Sequence, residues 1–235
     1  MQSAILPSEK VLVQLFNDSM VLFKPKDIVS GDFYWVEEKD DKVFFAVADC
    51  TGHGVPGAMV SVLGHNSLNR RINEYGLRDA GKILDTLTEL VETTLNKNAT
   101  EVNDGMDIAL CVWDKKDKLE YAGANNSLYL IQNGELIETK PDKQPIGKYI
   151  KRVPFTTHKF KIEKGDSFFL FSDGYADQFG APKGKKLKYS NFKKFLIELA
   201  PNKCSDIHNE LDSRFEEWRG DLEQIDDVCI MNVKF

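Results

Sequence analysis

Apolar residues recur along this chain in two rhythms, and their alternation predicts a mixed α and β fold. From Ala80, the positions Ile83, Leu84, Leu87, Leu90, Val91, Thr94 and Leu95 follow at steps of three, one and three, the spacing that gathers side chains on one helix face. A second helical pattern opens at Pro56, Gly57 and Ala58, runs through Met59, Val62, Leu63, Ile72 and Tyr75, and meets Gly76, a residue suited to a helix C-terminus. Both helices read as covers for a core. Helical stretches are predicted again over 191–199 and 205–218. The other apolar residues form short runs bounded by turn-forming residues, the signature of strands. These runs are 21–23, 33–36, 43–48, 106–113, 119–122, 128–132, 136–139, 155–162, 167–171 and 228–233. A charged hairpin turn over 39–41 joins the second run to the third, and turns follow at Lys115-Lys116-Asp117 and Asn133-Gly134. The four runs from Met106 read as an antiparallel meander, and 155–162 with 167–171 as a further strand pair. Residues 1–16 read as a helical lead-in from an upstream segment that can also dimerise, ending near Ile5-Leu6-Pro7. No repeat or linker divides the remainder, so 17–235 is taken as one domain.

Composition narrows the picture. A chain of 235 residues with 42% hydrophobic residues can bury a sizeable core. Its net charge of -6 argues against a nucleic-acid partner, which needs a basic face, and suits carboxylates gathered around cations. Cys50, Cys111, Cys204 and Cys229 show neither a C-x-x-C pair nor zinc spacing, and read as reduced, buried thiols in a cytosolic protein. No run reaches the roughly 18 apolar residues of a membrane span, so a cytoplasmic location, or the cytoplasmic part of a larger sensor protein, is expected. The basic stretch with Lys183, Lys185, Lys186 and Lys188 reads as a solvated loop, or as a flap that meets an acidic or phosphorylated partner.

Candidate chemistry lies where strands meet acids. The run 43–48 ends at Asp49, followed by Gly52, His53, Gly54 and Gly57, and the run 167–171 ends at Ser172-Asp173-Gly174. Asp32 follows Ser30-Gly31, and a turn over 39–41 sets it beside Asp49 on the adjacent antiparallel strand. Asp226-Asp227 precede the last strand. Carboxylates on rigid strand ends suit magnesium or manganese, hard cations that need only a few oxygen ligands. Two such ions about 4 Å apart can share a carboxylate and acidify a water aimed at phosphorus, which permits hydrolysis without an enzyme nucleophile. Competing chemistries lack their signatures. G-x-S-x-G, a cysteine-phosphatase H-C-x5-R and a Walker-type phosphate loop are all absent, and His53, His65, His158 and His208 form no ligand-spaced pair. Asp107 reads as a solvent-facing strand start, with an accessory acid as the alternative.

Seven motifs occur in order: G-D-F-Y-W at 31–35, V-A-D-C-T-G-H-G-V-P-G-A-M at 47–59, N-D-G-M-D-I-A-L at 103–110, Y-A-G-A-N-N at 121–126, Q-P-I-G at 144–147, F-S-D-G-Y-A-D-Q at 171–178 and D-D-V-C-I at 226–230. Together they resemble the SpoIIE-like, or RsbU-like, branch of the PPM class of metal-dependent serine/threonine protein phosphatases, from about Ile5 onward. The resemblance implies an α+β fold, an αββα sandwich of two antiparallel sheets flanked by helices, with two Mn2+ or Mg2+ ions at one edge. It implies Asp49 as the bridging carboxylate, the backbone carbonyl of Cys50 as a further metal ligand, and Asp173 with Asp226 on the other ion. Asp227 is the alternative to Asp226, and Asp32 matches an acid that acts through water. His53 is proposed by analogy as the general acid for the leaving seryl oxygen, or else as a turn histidine that positions its loop. Lys24 or Lys26 would replace the phosphate-binding arginine of the eukaryotic branch. Two departures stand out, A-G-A-N-N where relatives have A-G-H and Ser30 where a second glycine is common; neither removes a carboxylate. The implied activity is hydrolysis of phosphoserine or phosphothreonine on a bacterial signalling partner of the anti-anti-sigma (STAS) type, beneath an upstream sensor or coiled-coil segment. A non-catalytic partner-binding module of the same fold and a hydrolase of small phosphate compounds are the alternatives.

Overall fold

The structure, a computed structural model, describes residue 2 and residues 5–95, 104–180 and 184–235. In chain order the elements are α1 (Glu9–Leu15), β1 (Asp18–Lys24), β2 (Phe33–Lys39), β3 (Lys42–Cys50), α2 (Gly54–Asn73), α3 (Ala80–Leu95), β4 (Met106–Trp113), β5 (Lys118–Ala124), β6 (Leu128–Gln132) and β7 (Glu135–Thr139). They continue with β8 (His158–Lys161), β9 (Ser167–Phe171), α4 (Gly174–Asp177), β10 (Phe179–Gly180), β11 (Lys185–Lys186), α5 (Tyr189–Leu199), α6 (Cys204–Arg219) and β12 (Val228–Lys234). Two five-stranded antiparallel sheets result, ordered β1-β12-β9-β6-β7 and β2-β3-β4-β5-β8.

Residue alternation along the strands builds three apolar layers. Val43, Phe45, Val47, Ala109 and Cys111 of one sheet meet Leu128, Phe168, Leu170, Cys229 and Met231 of the other. The opposite face of the first sheet, with Phe44, Ala46, Ile108 and Leu110, is covered by Leu68 and Ile72 of α2 and Ile83, Leu84, Leu87 and Val91 of α3. Phe192, Leu196, Ile207, Leu211 and Phe215 of α5 and α6 cover Tyr129, Phe169 and Ile230 of the second sheet. This is the αββα order expected from the motifs. Each fully buried Leu, Val or Phe side chain contributes roughly 1.5–3 kcal/mol, so the continuous burial of Val43 through Ala48 makes β3 the firmest support in the first sheet. Helix α3 begins where Asp79 accepts a hydrogen bond from the Lys82 amide at 3.0 Å, satisfying one of its free N–H groups. The lead-in is also anchored: Leu12 and Phe16 are buried between the sheets, with the Phe16 ring 5.3 Å from Phe45.

Three expectations are corrected. The predicted meander divides between the sheets, since β4 and β5 pair in one and β6 and β7 in the other. The chain leaves the first sheet at Asn125, whose φ of 55° turns it away, while the Tyr121 hydroxyl donates to the Asn126 carbonyl at 2.5 Å. The expected pairing of 155–162 with 167–171 is also absent: β8 pairs with β5, whereas β9 lies between β12 and β6. Residues before β8 are drawn to α3, through Phe155 N to Asp85 Oδ1 at 2.9 Å and Gly81 N to Thr157 Oγ1 at 2.9 Å. The basic stretch after Asp173 forms α4 and the small β10–β11 hairpin, and Lys186 pairs with Asp177 at 2.7 Å. Lys183 lies outside the described residues. All four cysteines are buried and unpaired, and among the described residues no helix is long and apolar enough to cross a membrane.

Candidate metal centre

The two-residue turn Asp40-Asp41, both at positive φ, sets the β2–β3 register Phe33 to Ala48. Asp32 is therefore carried to the position beside Asp49, as the hairpin expectation required. On its other side Asp49 is paired in register with Asp107 of β4. The second sheet delivers two more acids to this end: Asp173 follows β9, Asp226 precedes β12, and these strands pair with Ile230 opposite Phe171. The Asp173 backbone amide donates to the Asp49 carboxylate and ties the two sheets together at this point.

These acids act on one another. Burial, then the charges of Asp173, Asp226 and Asp107, push Asp49 up to about 8. Burial and then Asp226, Asp177 and Asp107 raise Asp173 to about 6. Asp32 is pushed well above the usual carboxylate range by burial and by Asp49, against the opposing hydrogen bond from Ser172. Among the described residues, no lysine or arginine forms a salt bridge with Asp32, Asp49, Asp173 or Asp226. Asp32 Oδ2 is buried without a hydrogen-bond partner. A donor set of hard oxygens, mutually repelled, with the charge of Lys186 opposing the rise at Asp173, fits divalent cations. No three of the described acidic, His or Cys side chains are grouped at ligand geometry around one point. A cavity of about 220 Å³ opens here, lined by Asp49, Asp104, Asp107, Asp173, Thr51 and Lys148 among others.

Close backbone packing fixes the loops behind the acids. A Cβ on Gly57 would lie 2.1 Å from the Gly52 carbonyl oxygen, and one on Gly31 2.5 Å from the same atom and 3.1 Å from the Cys50 carbonyl oxygen. Only glycine lets the 30–31 loop, the turn after β3 and the start of α2 meet this closely. The Cys50 carbonyl is thereby held near the acids while its thiol is buried.

The acidic doublet separates cleanly. Asp227 is 2% exposed, and its carboxylate accepts from Lys26 N at 2.8 Å and Gly31 N at 2.7 Å. It fastens the 25–31 loop to the sheet end. Asp226 is partly exposed and is the member whose charge acts on Asp49 and Asp173. Asp227→Ala is expected to strand two amides and cost about 2–4 kcal/mol, lowering the melting temperature by roughly 5–15 °C. Asp226→Ala should stay within about 1 kcal/mol of the parent. Thermal unfolding of both variants checks this, and equal losses would mean that the doublet shares one role.

Other candidates are placed differently. His53, more than half exposed at the start of α2, pairs through Nδ1 with Asp27 Oδ2 at 2.8 Å; the sequence reading passed over Asp27. Lys24 is not brought to the acids: its ammonium binds Asp212 and Glu216 of α6 at 2.5 and 2.7 Å, because β1 lies against that helix. Lys26 offers its backbone amide to Asp227, and among the described residues no salt bridge ties its ammonium to an acid. Asp107 is not solvent-facing; it is partly buried, its carboxylate accepts from Asn125 Nδ2 at 2.8 Å, and burial raises its pKa. Lys148 was also missed, although it directly follows the Q-P-I-G motif.

Comparison with known proteins agrees with this architecture. The family model described as Stage II sporulation protein E (SpoIIE) matches residues 39–235. The SiaA-PP2C domain of Pseudomonas aeruginosa is similar at 30% identity and a TM-score of 0.89, over 100% of this chain and 92% of that one. The phosphatase domain with a regulatory fragment of SpoIIE from Bacillus subtilis shares the fold at 19% identity and a TM-score of 0.72, over 92% of this chain and 62% of that one. So do the RsbU and RsbW domains of a Mycobacterium tuberculosis protein, at 17% identity and a TM-score of 0.68, over 92% of this chain and 60% of that one. No curated protein matches the chain.

Proposed function

Because this chain belongs to the SpoIIE family of PP2C-type serine phosphatase domains, we propose that it hydrolyses phosphoserine or phosphothreonine on a protein, with two divalent cations held by its strand-end carboxylates. The observation that carries this reading is the gathering of Asp32, Asp49, Asp173 and Asp226 from two sheets, close enough that their charges raise the pKa values of Asp32, Asp49 and Asp173. In this proposal Asp49, the Cys50 carbonyl, Asp173 and Asp226 would hold the ions, and Asp32, next to Asp49 across the β2–β3 hairpin, would support them. Manganese or magnesium at these ligands supplies Lewis acidity toward the phosphoryl oxygens and lowers the pKa of a water.

The chain's own groups do the rest. Asp49 is fixed by the ladders to β2 and β4, and the Asp173 backbone favours its ionised form. Ser172 does the same for Asp32. With Nδ1 of His53 held by Asp27, Nε2 is the atom proposed to return a proton to the leaving seryl oxygen. Residues 17–235 constitute the proposed phosphatase domain, and 1–16 the proposed joint to an upstream sensor or coiled-coil segment, within a proposed homodimer of cytoplasmic subunits. The relative from Mycobacterium tuberculosis carries RsbU and RsbW domains together, which supports a signalling partner; a STAS-type domain is the proposed substrate.

A phosphorylated STAS protein incubated with the chain is expected to lose its phosphate in manganese or magnesium and to keep it in chelator. Release that persists in chelator, or a phosphate left intact with metal, overturns this reading.

A further inference from the structure

We propose that the loop 147–153 is the surface on which the phosphoprotein substrate docks, and that it selects an apolar residue close to the phosphorylated one. The proposal rests on the hydrolase reading above and adds a substrate preference to it. Lys148 lines the same cavity as Asp49, Asp107 and Asp173. From there the chain carries Tyr149, Ile150 and Val153 outward, 43%, 97% and 54% exposed.

A slack loop would fold such residues inward, but this one is fastened at several points. The side-chain amide of buried Gln144 donates to the Val153 carbonyl at 2.6 Å and accepts from the Val153 amide at 3.1 Å. Arg152 donates to the Gly147 carbonyl, and to Glu92 at 2.9 Å. Ile146 and Met106 exchange backbone hydrogen bonds at 2.8 and 2.9 Å. Polar groups thus spend their bonding capacity on holding apolar side chains in water beside a reactive cavity, the arrangement of a recognition surface.

Charge and reach identify the occupant. The loop 147–153 carries Lys148, Lys151 and Arg152 and no acid of its own in a chain of net charge -6; Arg152 is engaged by Glu92, and the basic sequence around it suits a phosphate-bearing segment. An extended peptide advances about 3.3–3.6 Å per residue. With its phosphate at the acids, the residues next to the phosphorylated one therefore pass the side chains that begin at Tyr149, directly after Lys148.

Arrays of phosphoseryl and phosphothreonyl peptides, varied up to about three positions either side, test this by phosphate release with manganese and, as phosphonate analogues, by binding. The parent is expected to favour Leu, Ile or Phe over Asp at a flanking position by ~10-fold or more in kcat/KM. Ile150→Asp should lose that preference, with turnover of peptide relative to para-nitrophenyl phosphate falling as far, while Ile150→Leu retains it. A flat profile in the parent, or an unchanged profile in Ile150→Asp, overturns the proposal, as does loss of self-association in Ile150→Asp with peptide preference intact. If no substrate releases phosphate yet the phosphonate peptides bind with the apolar preference, the hydrolase reading falls and the docking surface stands.

Discussion

Asp49→Asn is expected to lower kcat/KM for an aryl phosphate at least ~10³-fold while leaving the protein folded, and in metal-free buffer near neutral pH to raise its melting temperature. The β3 ladder is made by backbone groups on both sides, so an isosteric side chain leaves it intact. Asparagine removes a carboxylate that burial and the charges of Asp173, Asp226 and Asp107 make unfavourable to ionise. The same change removes a ligand proposed to hold the ions. Kinetics paired with calorimetry separate the roles. In the parent, manganese should raise the melting temperature, and in the variant this gain should largely vanish. A variant that unfolds assigns Asp49 to structure instead, and a folded one that keeps its activity removes it from the proposed site.

The second expectation concerns pH. The unfolded chain releases the Asp49 and Asp173 protons near the ordinary carboxylate value of 3.8, whereas the native chain holds them to about 8 and about 6. Their contribution to stability is thus fully present below about pH 4 and is lost as pH rises toward 8. Metal-free protein should therefore melt progressively lower between pH 5 and pH 8 in the part of the profile governed by these acids. The loss is expected to be on the order of a few kcal/mol, read as roughly 2–4 °C for each. A divalent cation binds the ionised form, so the rise in melting temperature on adding manganese should be larger at pH 8 than at pH 5, where protons compete. A metal-free profile that is flat or climbs over this range would contradict the mutual repulsion of the site.

Much of this arrangement is legible in the residues, and the illegible parts have identifiable causes. Helix α3 follows from spacing alone, because Ile83, Leu84, Leu87 and Val91 face a single layer. The approach of Asp32 to Asp49 follows from one hairpin, since a two-residue turn leaves no freedom of register. Strand partners are another matter. In a sandwich covered on both outer faces, β6 and β9 are short apolar runs that look alike, β8 carries a single apolar residue, Phe160, and nothing in them states which sheet receives them. Asn125 marks the crossing only once its backbone conformation is seen. Spacing likewise cannot divide Asp226 from Asp227, because their difference lies in the amides of Lys26 and Gly31, about 200 residues away in sequence. Lys24 misled for the same reason. Its nearness to Asp32 in sequence counts for less than the position of β1 against α6.

The place of β12 in its sheet bears on how the proposed site is completed during synthesis. This strand follows every other described element, yet it lies between β1 and β9, and Asp226 stands two residues before it. While Val228–Lys234 are still within the ribosome, β1 has no neighbour in its sheet and the acid site lacks a member. A nascent chain can therefore assemble the β2–β3–β4–β5 layer early with the proposed site still incomplete. The carboxylates come together in a single late step, with the strand that closes the second sheet.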